Sequence, residues 1–290
     1  TPQQLHTSKT VHSGLVHHNR IGRNIGMELD CLKGWRTMIT FDDVSFAYQG
    51  GIPDGSEPPA LRHIHFHAER GECIVLCGKS GCGKTTMLRM VNGLVPNFYQ
   101  GRLEGDITVG NVHIKEASLP QVAAVVGSVF QNPRTQFFHL DTTGEMAFNM
   151  ENLNIPHDKM VERLKETAWK LDIQTLMDRD IFQLSGGEKQ QIACGSVYAS
   201  MPEVIVMDEP SSNLDMESIR KLQDLIRTMK DEGKTILISE HRLWYLEDIA
   251  DRYVLLKDGQ IENEFTSDEI LALSRQKLEQ SGLRAVRRKQ

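Results

Sequence analysis

The chain has 290 residues, 39% of them hydrophobic and 25% charged, which fits a globular protein with room for one large domain or two modest ones. No run approaches the roughly eighteen consecutive apolar residues that a spanning helix needs, and the first residues hold no apolar signal-peptide core. A formal net charge of −6 counts against nucleic acid as a partner, and five cysteines without a CxxC pair point to a reduced, cytosolic chain.

In chain order, residues 1–37 are polar and His-rich without periodicity and read as a flexible extension. Met38–Tyr48 alternates as a strand, and Gly50–Pro59, with three glycines and three prolines, reads as a loop. His63–Ala68 alternates again, placing His63, His65 and His67 on one strand face. That spacing would also suit zinc, but a solvated face accounts for it. Glu72–Cys77 is a continuous apolar strand with Cys73 and Cys77 as small core residues, and Lys84–Leu94 predicts a helix. Residues 157–172 repeat apolar positions at three and four, the pattern of an amphipathic helix.

Glu203–Met207 and Thr235–Ser239 are short apolar runs of the buried parallel type. Leu214, Ile219, Leu222, Leu225, Ile226 and Met229 mark a helix between them, so strand, helix and strand predict a parallel α/β core. Val254–Ile261, with Asp258-Gly259 at its middle, predicts a hairpin. Arg284, Arg287, Arg288 and Lys289 form a basic cluster read as a solvated tail.

Gly78-Lys79-Ser80-Gly81-Cys82-Gly83-Lys84-Thr85 fits G-x-x-x-x-G-K-[ST] and lies between a predicted strand and a predicted helix, as that motif requires. The glycines let backbone N–H groups curl round a phosphate, and the following helix adds the positive end of its dipole. Lys84 can reach the β- and γ-phosphates, and the Thr85 hydroxyl can ligate Mg²⁺. A second apolar strand runs into Asp208-Glu209-Pro210. Two carboxylates at the end of a buried strand are costly without a cation or polar partners. Asp208 is placed to hold Mg²⁺, and Glu209 to orient the attacking water.

Leu184-Ser185-Gly186-Gly187-Glu188 resembles the signature of the ABC (ATP-binding cassette) family, and in this order the resemblance extends over roughly residues 38–265. It implies a P-loop NTPase ABC nucleotide-binding domain with a mostly parallel core sheet, an antiparallel β subdomain and a small helical subdomain at about 132–190. The cassette would span 38–268, between the extension 1–37 and a helical, basic tail at 269–290.

In that family two cassettes sandwich two ATP molecules, each held by the phosphate loop of one (here Gly78–Thr86) and the signature of the other (here Ser185, Gly186 and Gly187). By the same resemblance Gln131 is the glutamine that senses Mg²⁺ and couples to the membrane subunit, and Asp215 lies at the dimer interface. His241 contacts the γ-phosphate, and Tyr48 stacks on adenine. Glu209, His241, Lys84 and Gln131 would carry the chemistry, with Thr85, Gln131 and Asp208 around Mg²⁺. Cys82, inside the loop, would then show ATP-protected alkylation.

The strings Phe130-Gln131-Asn132-Pro133-Arg134-Thr135-Gln136-Phe137-Phe138 and Ser239-Glu240-His241-Arg242-Leu243, with Glu145, Phe148 and Glu151-Asn152, look like the ATPases of energy-coupling-factor importers. That resemblance implies an ATPase on the cytoplasmic face of the membrane, paired with a second ABC ATPase in a homo- or heterodimer. A transmembrane scaffold and a substrate-binding membrane subunit would complete the importer, which takes up a vitamin or transition-metal ion. The alternatives are the ATPase of another ABC importer or exporter, or a soluble ABC ATPase outside transport. Glu188-Lys189 replaces the commoner Gln-Gln or Gln-Arg, and Ser211-Ser212-Asn213 departs from the usual interface loop. Neither change removes a catalytic group.

Overall fold

The computed structural model describes residues 37–49 and 59–273, together with 276, 278 and 283. The expected extension before Thr37, most of the loop 50–59 and the basic cluster at 284–289 lie outside the described residues. Strand β1 (Thr37–Tyr48) pairs antiparallel with β2 (Leu61–Glu69), whose alternation buries Leu61, Ile64, Phe66 and Ala68 and exposes His63, His65 and His67. His63 Nδ1 lies 2.8 Å from Asp43 Oδ1. Among the described residues no group of three His, Cys, Asp or Glu could hold a metal, and the face bearing the three histidines is exposed.

Strand β3 (Cys73–Cys77) is wholly buried and leads through the glycine-rich turn into helix α1 (Lys84–Val91). The predicted helix is interrupted at Asn92 and Gly93. Gly93 sits at φ +73, where a left-handed residue ends the helix, and α2 (Leu94–Asn97) follows as a separate turn. Strands β4 (Gly101–Val109) and β5 (Val112–His113) complete an antiparallel sheet of order β2-β1-β4-β5.

Helix α3 (Leu119–Ala123) precedes β6 (Val126–Val129). Between β6 and the next core strand come α4 (Thr142–Asn152), α5 (His157–Lys170) and α6 (Gly186–Ala199). Helix α5 matches the amphipathic reading to within two residues, with Ala168 and the capping Leu171 buried. Strand β7 (Val204–Asp208), α7 (Met216–Asp231) and β8 (Thr235–Ser239) give the predicted strand, helix and strand. Ile219, Leu222, Leu225, Ile226 and Met229 line the buried face of α7, while Leu214 lies before its cap.

The hairpin β9 (Arg252–Lys257) and β10 (Gln260–Thr266) turns at Asp258-Gly259 as expected. The larger sheet runs β10-β9-β3-β8-β7-β6, parallel throughout except for the edge strand β10. Strands β3, β7 and β8 therefore end side by side, and the loops leaving their carboxyl ends meet there. Helix α8 (Ser267–Ala272) follows, and Ile270, Leu278 and Leu283 are buried in the same core as β3 and α7.

Candidate functional site

The turn from β3 into α1 is forced by its glycines. At Gly78, φ +136, an added Cβ would lie 2.2 Å from Leu256 O. On Gly81, φ +80, it would meet nothing within 4 Å, so this side of the loop is open. Gly83 caps α1 without a side-chain hydrogen bond, and no acidic residue occupies the first turn. The first N–H groups of α1 thus face the loop without a side-chain partner.

Lys84 is only 5% exposed, and its Nζ donates to Gly78 O at 3.0 Å and Lys79 O at 3.1 Å. Among the described residues it forms no ion pair. A buried ammonium with neutral partners alone is costly, and an anion seated in the open side of the loop would offset that cost. The Cys82 side chain is buried, with its Sγ 3.9 Å from Lys84 Nζ, and burial raises its thiol above the ordinary value. Cys82 can therefore offer the loop its backbone, while the thiol should alkylate slowly with or without nucleotide. That replaces the ATP-protected labelling expected from sequence. Cys73, Cys77 and Cys194 are likewise free and buried, each pushed up to about 12 by burial.

At the end of β7, Asp208 Oδ1 accepts from Thr85 Oγ1 at 3.1 Å and from Ser239 Oγ at 2.5 Å. Thr85 and Asp208 form an all-oxygen donor pair, the hard type that suits Mg²⁺ when phosphate oxygens and water supply the remaining positions. Next to it Glu209 adopts φ +45, a left-handed backbone that a glutamate rarely takes. Its N–H donates to Ser239 O at 3.0 Å, which holds this geometry. Glu209 Oε1 lies 3.1 Å from His241 Nε2, and Oε2 accepts from Gln131 Nε2 at 3.0 Å. Gln131, Glu209 and His241, from three separate loops, are thus in direct contact. Gln131 reaches the carboxylate of Glu209, and no hydrogen bond links it to the Thr85–Asp208 pair.

Tyr48 closes the other end. Its hydroxyl lies 3.0 Å from Thr86 Oγ1 and accepts from Arg89 Nη1 at 3.2 Å. Arg89 also sits 4.1 Å over the Tyr99 ring, which meets Tyr48 edge-on at 6.3 Å. Sequence reasoning missed Arg89 and Tyr99, because they lie 41 and 51 positions from Tyr48 along the chain and meet it only through space. A cavity of about 310 Å³ is lined by Tyr48, Ala60, Ser80, Gly81, Gly83, Lys84, Thr85, Thr86, Arg89 and Glu209. A second, of about 450 Å³, opens on the other side of the loop at Lys79, Ser80, Gly81 and Cys82.

Ser185, Gly186, Gly187 and Asp215 do not line the first cavity. Ser185 caps α6, accepting from Glu188 N at 3.2 Å while Glu188 Oε2 accepts from Ser185 N at 2.7 Å. Arg179 donates to the other oxygen of Glu188 at 2.8 Å. The Ser185 backbone N–H, then Arg179, draw the Glu188 carboxyl from 4.5 down to about 2. The glutamate that departs from the commoner signature is thus the second half of a capping box. An added Cβ at Gly187 would fall 2.0 Å from Ser218 Oγ, so only glycine lets the starts of α6 and α7 approach this closely. Asp215 caps α7, accepting from Ser218 N at 2.8 Å, and that bond lowers its pKa.

The parallel sheet, the phosphate-type loop at its carboxyl edge and the adjoining oxygen pair define a P-loop nucleotide-binding domain of the ABC type. The profile of the ABC transporter family matches residues 61–212, slightly more than half of the 290 residues, and the chain belongs to that family. An ABC transporter ATP-binding protein of Treponema denticola is 48% identical over 224 residues, 77% of this chain and 45% of that protein. One from Streptomyces coelicolor is 41% identical over 220 residues, 76% of this chain and 38% of its own length. The chain thus spans about half the length, or less, of the curated relatives it matches. Among solved structures, cbiO1 of Clostridium perfringens, part of the ABC transporter complex cbiONQ, superposes with TM-score 0.72 at 24% identity, over 85% of this chain and 96% of that one. The cassette MJ0796, bound to ADP and Pi, gives 0.68 at 22% over 79% and 99%. Both likenesses concern the fold.

Proposed function

We propose that this chain binds and hydrolyses ATP as the cassette of a membrane transporter. The observation that carries the reading is Lys84, an ammonium buried in a loop of carbonyls with an open, N–H-lined side that fits a polyphosphate. In this reading Gly78–Thr86 seat the phosphates, with Lys84 donating to them and Tyr48 presenting its ring to the base. Thr85 and Asp208 would hold Mg²⁺, which when bound neutralises phosphate charge during transfer. Glu209 orients water and receives its proton. His241 and Gln131 hold the two oxygens of Glu209, and the release of one of them frees an oxygen for water. Ser185–Gly187 and Asp215, absent from the cavity in their own chain, would serve the nucleotide of a second cassette.

The membrane partner is supported by exposed apolar side chains on the segments that follow Gln131 and precede Ser185. Phe138, Leu140 and Phe182 are exposed by 73%, 72% and 75%, values unusual for such side chains. Glu145, itself buried, accepts from Phe138 N at 2.8 Å and His139 N at 2.9 Å, and Phe138 stacks on Phe148 at 4.7 Å. The residues that resemble energy-coupling-factor ATPases therefore shape this surface. No helix among the described residues is long and apolar enough to cross a membrane. In this reading a scaffold subunit docks on these exposed apolar side chains. We take residues 38–268 as the cassette, 132–190 as its helical subdomain, and a vitamin or transition-metal ion as the cargo. The cassette would sit peripherally on the cytoplasmic face of the membrane, beside a substrate-binding subunit.

The test is Mg-ATP hydrolysis by the full chain co-expressed with its candidate scaffold, alongside Glu209→Gln. Turnover should drop by about 100-fold or more in the variant while ATP still binds. Undiminished turnover would remove Glu209 from the chemistry, and absence of ATP binding by the wild type would end the reading altogether.

A further inference from the structure

The residue before His241 is a glutamate whose side chain is 2% exposed. Glu240 Oε1 accepts from Ser211 N at 3.2 Å and from the Tyr245 hydroxyl at 3.0 Å. Its Oε2 accepts from His241 N at 2.6 Å and Arg242 N at 3.1 Å. Four donors satisfy the carboxylate, and among the described residues no lysine or arginine pairs with it. A buried carboxylate is a costly way to finish a turn, so what it gathers is informative. Ser211 lies two residues beyond Glu209. His241 carries the imidazole that touches Glu209 at 3.1 Å.

Arg242 makes the return connection. Its Nη1 donates to Ser211 O at 3.2 Å and Leu214 O at 3.3 Å. Glu240 therefore binds one N–H, that of Ser211, and Arg242 two carbonyls, those of Ser211 and Leu214, in the segment that leaves Glu209 and ends at the cap Asp215. The turn bearing His241 and the segment 211–214 are stapled in both directions. The Tyr245 hydroxyl anchors the staple from the core, since that side chain is fully buried.

We propose that Glu240 is a positioning residue: it fixes His241 against Glu209 and makes the His241 turn and the 211–214 segment move as one body. The proposal rests on the ATPase reading above, because it assigns Glu240 a part in that reaction through His241 and Glu209. It also gives a route within one chain from Asp215, which a second cassette would contact, to the carboxylate that orients water.

Glu240→Gln keeps the side-chain volume but sets an amide N–H against one pair of donors. In the full chain with its scaffold, turnover per folded molecule should drop about ten-fold or more while the ATP Kd stays within about two-fold, because misplaced groups lose rate before affinity. In the full chain alone, the carbon-13 resonance of His241 Cε1, assigned by its disappearance in His241→Gln, should shift. A purely structural role would lower the melting temperature and leave both kcat and that resonance at wild-type values, and this result overturns the proposal. If the Gln variant does not fold, Glu240→Asp carries the same test. Its carboxylate, one methylene shorter, should cost about three-fold or more in kcat at unchanged Kd, and wild-type values there overturn the proposal equally. A wild-type complex that binds Mg-ATP without hydrolysing it would sink the ATPase reading, while the His241 resonance would still decide whether Glu240 positions the ring.

Discussion

The loop at Gly78–Thr85 and the turn at Ser185–Gly187 are both glycine-rich starts of helices, yet they are finished differently. In the first, α1 has no side-chain cap, its first turn has no acid, and the nearby cation lacks a counter-charge. In the second, Ser185 and Glu188 satisfy each other, Arg179 neutralises Glu188, and Gly187 is pressed against Ser218. The first site is left electrically incomplete, and in the proposed function the nucleotide completes it. The second is locally complete and presents an ordered surface, of which Gly186 is the open part. Two similar-looking motifs thus teach opposite lessons: on the proposed reading, incompleteness marks where a ligand enters, and self-sufficiency marks a face shaped for docking.

The comparison is most exposed at Lys84. Replacing it with Ala should weaken ATP binding about 10- to 100-fold, the range of a lost charge-assisted hydrogen bond, as read by titration calorimetry. An unchanged Kd would show that the buried ammonium is not the anion's partner. At the other turn, Gly187→Ala should destabilise the fold by about 1–3 kcal/mol in urea melts through the clash with Ser218. The same change in a Ser218→Gly background should recover most of that loss. No recovery would place the fault elsewhere.

The smallest effect concerns acid. Glu188 has a folded pKa drawn down to about 2 from 4.5, so its capping contribution is fully present above about 4.5 and is lost as pH falls toward 2. Glu188→Gln should remove that part of the acid sensitivity in thermal melts between pH about 5 and 2, and solvent screening at this half-buried pair keeps the effect slight. Identical acid profiles for the two proteins would mean that the capping box is not formed in solution.

Much of this was legible because it is local. The phosphate-type loop is eight contiguous residues between a strand and a helix, and the alternation of β2 and the periodicity of α7 survive as observed burial. The shortfall in α1 was also signalled, since Asn92-Gly93 is a helix stop that the apolar Leu94 obscured. Other features depend on approaches between distant segments that no spacing encodes. The contact of Gln131 and His241 with Glu209, the hold of Arg89 on Tyr48 and the nearness of Ser218 to Gly187 are of this kind. Asp215 and Ser185 are legible as caps from their own neighbours, through Ser218 and the S-x-x-E pattern, and a reading led by family likeness passed over that local role.

The left-handed backbone at Glu209 has a consequence for how such a chain would drift. A glycine or asparagine would sit there with less strain, by about 1 kcal/mol, so the glutamate is kept at a standing cost to stability. A lineage freed from the need to turn over nucleotide would find an uphill-free path away from this residue, gaining robustness as it lost chemistry. If Glu209 serves the proposed hydrolysis, paralogues turned to purely regulatory duty should be the first to shed a glutamate at this position.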